Sequence, residues 1–87
     1  MIWNVNADRL WDSLMEMAKV GPGTQGGSRR LALTDEDVAG RNLFRHWAGD
    51  AGCALRLDTM GNLFARREGK HPNAAPVLSG SHLDTQP

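Results

Sequence analysis

One cysteine, Cys53, is all the thiol chemistry available in this sequence of 87 residues. A single thiol excludes an internal disulfide and fits a reducing compartment. Net charge is equally scarce. Ten basic residues balance ten acidic ones, so electrostatics makes no case for nucleic acid or an anionic membrane as a partner. The arginine pairs Arg29-Arg30 and Arg66-Arg67 are read accordingly as solvated edges. No apolar run approaches the roughly 20 residues that a membrane span needs. The opening "MIWNVNADRL" lacks the charged leader and apolar core of a secretory signal. Internal repeats and low-complexity tracts are absent too. The expectation is a soluble cytoplasmic protein and one small domain at most, of marginal stability at this size.

What is present is ordinary globular patterning, with 40% hydrophobic and 23% charged residues. In "NADRLWDSLMEMAKVGPG", Leu10, Leu14 and Met17 recur at helical spacing, and Trp11, Met15 and Ala18 recur beside them. That predicts an amphipathic helix capped by Asn6, with Asp8 near the positive end of its dipole, Lys19 in its last turn and "GPG" ending it. The Trp and Met content is read as core packing rather than a ligand pocket. "GPGTQGGSRR" is a flexible loop in this reading. It lacks the Gly-Lys-Ser/Thr ending and the preceding strand of a phosphate loop. "LAL" reads as a short extended piece. A second helix then starts at the N-cap Thr34, behind the acidic Asp35, Glu36 and Asp37, and runs to about Ala51. Its expected core face is Val38, Ala39, Leu43, Trp47 and Ala51, with Arg41, Arg45 and Asp50 in solvent. Gly40 weakens it by roughly 1 kcal/mol relative to alanine, and Gly52 closes it.

After Gly52 the period shortens to two. "CALRLD" alternates, "TMGN" turns and "LFARR" resumes, which predicts a hairpin over residues 53–67 with Gly61 in its bend. His71 sits in the following loop beside Pro72, and His46 on the second helix is read as having no ligand partner one turn on. Both are taken as solvated.

In the last segment, "PVLSGSHLDTQP", the stretch "VLSGSH" (residues 77–82) has the apolar-to-small pattern of a strand buried in a parallel sheet. Side chains two apart on a strand share a face, so His82 and Asp84 can point the same way. Ligand sites in open α/β sheets lie beyond the carboxyl ends of the strands, where this pair falls. A metal-bound imidazole wants a partner on its other ring nitrogen, and a carboxylate supplies one. His82 as ligand and Asp84 as orienting carboxylate therefore make a sensible unit, with a buried polar pair as the alternative. A catalytic zinc site keeps at least three protein ligands, and this sequence offers no good candidates for the rest. The element order of two helices, a hairpin and a buried strand gives an α/β class with an unfinished sheet.

"GSHLDTQP" closely resembles the first metal motif of the dinuclear-metal amidohydrolases of the M20 peptidase clan. The nearer match is the branch of N-carbamoyl-L-amino-acid hydrolases, allantoate amidohydrolases and β-ureidopropionases. "RLWDSLMEMAKVG", "GGSRRLALTDED" and "AGCALRLDTMGNLFARREG" resemble that branch's N-terminal region in the same order. The resemblance implies that residues 1–87 are the N-terminal portion of a three-layer α/β metallopeptidase-like catalytic domain, without its lid and dimerisation domain. It implies His82 as the first metal ligand and Asp84 as the catalytic carboxylate that orients it. It also implies two divalent ions (zinc or manganese), a small ureido or amide substrate, and a homodimer for the full-length relative. The bridging aspartate, the Glu-Glu pair and the later histidines of the family would lie past Pro87. The 87 residues alone are therefore expected to be inactive and to bind metal weakly. The alternatives are a non-catalytic α/β remnant or interaction module and, within the enzyme class, a metal-dependent dipeptidase.

Overall fold

The computed structural model describes residues 4–86, so Pro87, the last residue of the terminal motif, lies outside it. The first helix, α1 (Ala7–Ala18), begins where the sequence says it should. Asn6 is extended, and its side-chain oxygen accepts a hydrogen bond from the Arg9 N–H at 3.0 Å, with Asp8 in the first turn. Lys19 is the C-cap, one residue beyond the last turn, and its N–H turns back to the Glu16 and Met17 carbonyls. Gly21, at φ +69°, then takes the left-handed conformation that redirects the chain.

The glycine-rich stretch is not the flexible loop expected. Gly23 N–H donates to the Gly27 carbonyl at 2.7 Å, Gly27 N–H to Thr24 at 2.9 Å and Arg29 N–H to Gly21 at 2.6 Å. Pro22 and Ser28 form an isolated antiparallel bridge around the short 3-10 turn Thr24–Gly26. Gly21 provides clearance as well as its positive φ, since a Cβ there would come within 2.5 Å of the Arg29 carbonyl oxygen. "LAL" is likewise a turn and not an extended piece. Thr34 N–H and Oγ1 both donate to the Leu31 carbonyl, at 3.3 and 2.5 Å, and Leu33 sits at φ +68°.

That turn starts α2 (Asp35–Asp50). Thr34 Oγ1 accepts from the Asp37 N–H at 3.3 Å, and the Asp37 carboxylate accepts from the Leu33 N–H at 3.1 Å. The two side chains thus satisfy donors on either side of the helix start, a variant of the capping box. This reciprocal cap turns Asp37 inward, and the buried face of α2 differs from the expected one. Asp37, Gly40 and Ala48 are buried, with Leu43, Phe44 and Trp47 half-buried, while Val38, Ala39 and Ala51 are exposed. Arg41 is not in solvent either. It is half-buried, and its Nη2 donates to the Gly61 carbonyl at 2.8 Å.

The hairpin forms as its alternation implies. β1 (Ala54–Leu57) pairs antiparallel with β2 (Leu63–Arg66), with Ala54 opposite Arg66 and Leu57 opposite Leu63. Asp58 organises the bend. Its Oδ1 accepts from the N–H groups of Met60 (3.0 Å) and Asn62 (2.8 Å), its Oδ2 accepts from Asn62 Nδ2 (2.9 Å), and Gly61 sits at φ +89°. These bonds hold the Asp58 carboxyl below its ordinary value of 3.8, the Asn62 side chain contributing most and the Asn62 N–H next.

The expected buried strand does not form. Residues 75–86 carry no regular structure, and Val77 is 100% exposed. A strand exists through its ladder, and among the described residues the sheet has only β1 and β2. Two helices and a hairpin stand as expected, and the terminal segment carries no regular structure. The chain divides into two units, one holding residues up to Gly40 together with Leu83 onward, the other running from Arg41 to His82.

Candidate functional site

The terminal motif is placed by an arginine. Arg30 is only 6% exposed, against the expectation of a solvated edge. Its N–H donates to Thr85 Oγ1 at 2.8 Å, and its carbonyl accepts from the Thr85 N–H at 2.7 Å. Its Nε donates to the Leu83 carbonyl at 2.9 Å. Its Nη1 donates to the Met17 and Val20 carbonyls at 3.0 and 2.6 Å, at the C-terminal end of α1. That end is the negative pole of the helix and has no basic residue in its last turn, so the guanidinium supplies the favourable charge. A buried cation has to be met by acceptors. Three backbone carbonyls meet this one.

Gly40 makes room for it. A Cβ there would lie 2.8 Å from Arg30 Cδ, so the glycine read as a weakness of α2 is the seat of the arginine stem. Arg30 was missed in the sequence because nothing in "SRR" separates a buried arginine from its exposed neighbour. The one available signal was the glycine inside an otherwise good helix, which marks a close approach.

Asp84 lies between the two residues that Arg30 holds. It is half-buried, as are Leu83 and Thr85, while His82 is exposed. Both His82 and Asp84 make further interactions of their own. The remaining histidines do not join them in a site. His46 does have an acidic partner one turn on, correcting the reading above, with its Nε2 3.2 Å from Asp50 Oδ2. Both side chains are about 70% exposed, which makes this an ordinary surface pair. His71 is exposed, as expected. Among the described residues no three His, Cys, Asp or Glu side chains cluster to hold a metal ion. His82 and Asp84 thus suit a divalent ion in kind, an imidazole and a carboxylate, but fall short of a set in number.

No family model matches the chain. Individual relatives do. Over 83 residues it is 60% identical to the N-carbamoyl-L-amino-acid amidohydrolase of Rhizobium meliloti, an alignment covering 95% of this chain and 20% of that protein. Over 81 residues it is 41% identical to the N-carbamoyl-L-amino acid amidohydrolase of Geobacillus stearothermophilus, covering 93% and 20%. The crystal structure of a hydantoinase/carbamoylase family amidase from Burkholderia multivorans superposes with a TM-score of 0.92 at 59% identity, covering 95% and 20%. The chain is a homologue of the N-carbamoyl-L-amino-acid amidohydrolases. It spans about one fifth of the length of the relatives it matches. Allantoate deiminase 2 of Glycine max is also similar, at 39% identity over 72 residues, so the homology takes in allantoate-type enzymes too. The two helices and the hairpin of this amidohydrolase homologue are accordingly part of an amidase/peptidase-like α/β fold. Among its described residues no helix is long and apolar enough to cross a membrane.

Proposed function

We propose that these residues serve the metal-dependent hydrolysis of a C–N amide or ureido bond, in an N-carbamoyl-L-amino acid or an allantoate-like substrate. The observation that carries the reading is the 60% identity over 83 residues to a Rhizobium meliloti N-carbamoyl-L-amino-acid amidohydrolase. Bound divalent zinc or manganese supplies Lewis-acid polarisation and an activated water in such chemistry. This chain's own share is narrower. His82 offers an exposed imidazole as one ligand, and Asp84 offers a carboxylate that orients that imidazole and fixes its tautomer. The glutamate base and the other ligands have no counterpart among the described residues. The catalytic domain to which residues 1–87 would contribute is completed by polypeptide supplying those groups. A small ureido or amide substrate and a homodimeric assembly belong to the same proposal.

The test is hydrolysis of N-carbamoyl-L-amino acids by the protein translated from the complete reading frame, with and without added Mn²⁺ or Zn²⁺. Metal-dependent turnover that falls at least about a hundredfold in His82→Ala and in Asp84→Asn supports the reading, a loss of the order seen when a catalytic group or its metal is removed. Turnover untouched by both substitutions would sink the assignment of the site. No turnover on any carbamoyl amino acid or on allantoate would sink the activity itself.

A further inference from the structure

We propose that Arg30 is a positioning residue for Asp84. It acts by fixing the backbone on both sides of that carboxylate, and the inference rests on the reading of Asp84 as part of a metal site. Residue 84 has a neighbour on each side, and Arg30 holds both. The Leu83 carbonyl accepts from Arg30 Nε at 2.9 Å. Thr85 is held twice, through its N–H to the Arg30 carbonyl at 2.7 Å and through its Oγ1 from the Arg30 N–H at 2.8 Å. With the peptide groups on either side of Asp84 pinned, its Cα–Cβ direction is set before any ion arrives. Segment 75–86 has no ladder of its own among the described residues to do this.

The other half of the device is the anchor. Arg30 Nη1 is bonded to the Met17 and Val20 carbonyls, and its stem lies against Gly40. The guanidinium therefore links the end of α1 to the Leu83 carbonyl as one rigid plane. Lysine could replace the charge but not the fork, because one ammonium cannot reach in both directions with fixed geometry. A carboxylate that orients a metal-bound imidazole works only when it is itself held. Loss of such outer partners costs about ten- to a hundredfold in metal affinity.

The experiment uses the protein from the complete reading frame and two readouts. One is Mn²⁺ affinity from the free-ion electron paramagnetic resonance signal. The other is hydrogen exchange of the peptide covering residues 82–86. In Arg30→Gln we expect Mn²⁺ affinity to fall about tenfold or more and the Thr85 amide to exchange faster, while α2 stays protected. Arg30→Lys should restore little of either. Faster exchange with unchanged Mn²⁺ affinity would make Arg30 a structural staple only, and would overturn the proposal. So would no change in either readout. Should Arg30→Gln fail to fold, Thr85→Val decides. It removes only the Oγ1 acceptor, and an unchanged Mn²⁺ affinity there overturns the proposal as well. A wild-type protein whose Mn²⁺ affinity ignores His82→Ala would instead remove the metal reading on which the proposal stands. The exchange data would still report whether the clamp exists, so the two failures can be told apart.

Discussion

At the scale of single residues, the fold turns on a glycine and an arginine that fit each other. Helix propensity alone says that Gly40→Ala should stabilise α2 by about 1 kcal/mol. The clearance says otherwise, because the new methyl would sit 2.8 Å from Arg30 Cδ, in the stem rather than at a freely moving tip. Overpacking of this kind costs about 1–3 kcal/mol, so the clash wins. We expect Gly40→Ala to lower stability in a denaturant titration and to speed exchange at Thr85, whose N–H bonds to the Arg30 carbonyl. A stabilised variant would mean that Arg30 repacks freely, and the seat would lose its meaning. Thr34→Ala tests the other residue-scale device. It removes the acceptor for the Asp37 N–H and the donor to the Leu31 carbonyl, and should cost about 1 kcal/mol, seen as fraying of the first turn of α2.

At the scale of elements, what could be read from sequence divides along the reach of the interactions. Part of the local chemistry was legible, although the ordered turns at residues 21–29 and 31–34 were not. The Asn6 and Thr34 caps, the stop at Gly21 and the hairpin with Gly61 in its bend all come from contacts within a few residues. The buried face of α2 was not legible, since Asp37 and Gly40 turn inward for reasons that lie outside the helix. One is a backbone N–H in the preceding turn, and the other is an arginine ten residues upstream. The strand expected at residues 77–82 failed for a similar reason, as apolar residues make a strand only beside a ladder partner. The hairpin gives the prediction proper to this scale. Its bend rests on Asp58 as a carboxylate, whose folded pKa lies below the unfolded one. The contribution is therefore complete above the unfolded value and is lost as pH falls through the folded value. Acid titration followed at the Gly61 and Asn62 amides should show the bend loosening below the ordinary carboxyl range. Asp58→Asn, which has no charge to lose, should show no such step. Matching profiles for the two proteins would remove Asp58 from the account.

At the scale of the whole molecule, the apolar surface argues for a covering. Among the described residues only Met17 and Ala48 are buried apolar side chains, while Leu10, Trp11, Leu14 and Met15 on α1 stay open. Leu55, Leu57 and Phe64 on the hairpin, and Val77 and Leu78 after it, are exposed as well. Full burial of a methionine is worth about 1.5–3 kcal/mol, whereas ordering the backbone costs about 1–2 kcal/mol per residue. One methionine and one alanine cannot offset that. Yet the backbone matches one fifth of a solved amidase at a TM-score of 0.92, so the conformation is the one this stretch holds inside a larger fold. The apolar spacing of α1 and the alternation of β1 were read as packing faces, yet Leu10, Trp11, Leu14 and Met15 on α1 and all of β1 are exposed. The 87 residues expressed alone should then unfold over a broad temperature range, bind a hydrophobic dye and exchange α1 amides quickly. The same α1 amides should be protected in the protein from the complete reading frame. A sharp, cooperative transition of the 87 residues alone, without dye binding, would show that this small core suffices. The open faces would then need no covering, and α1 would be a surface helix in its own right.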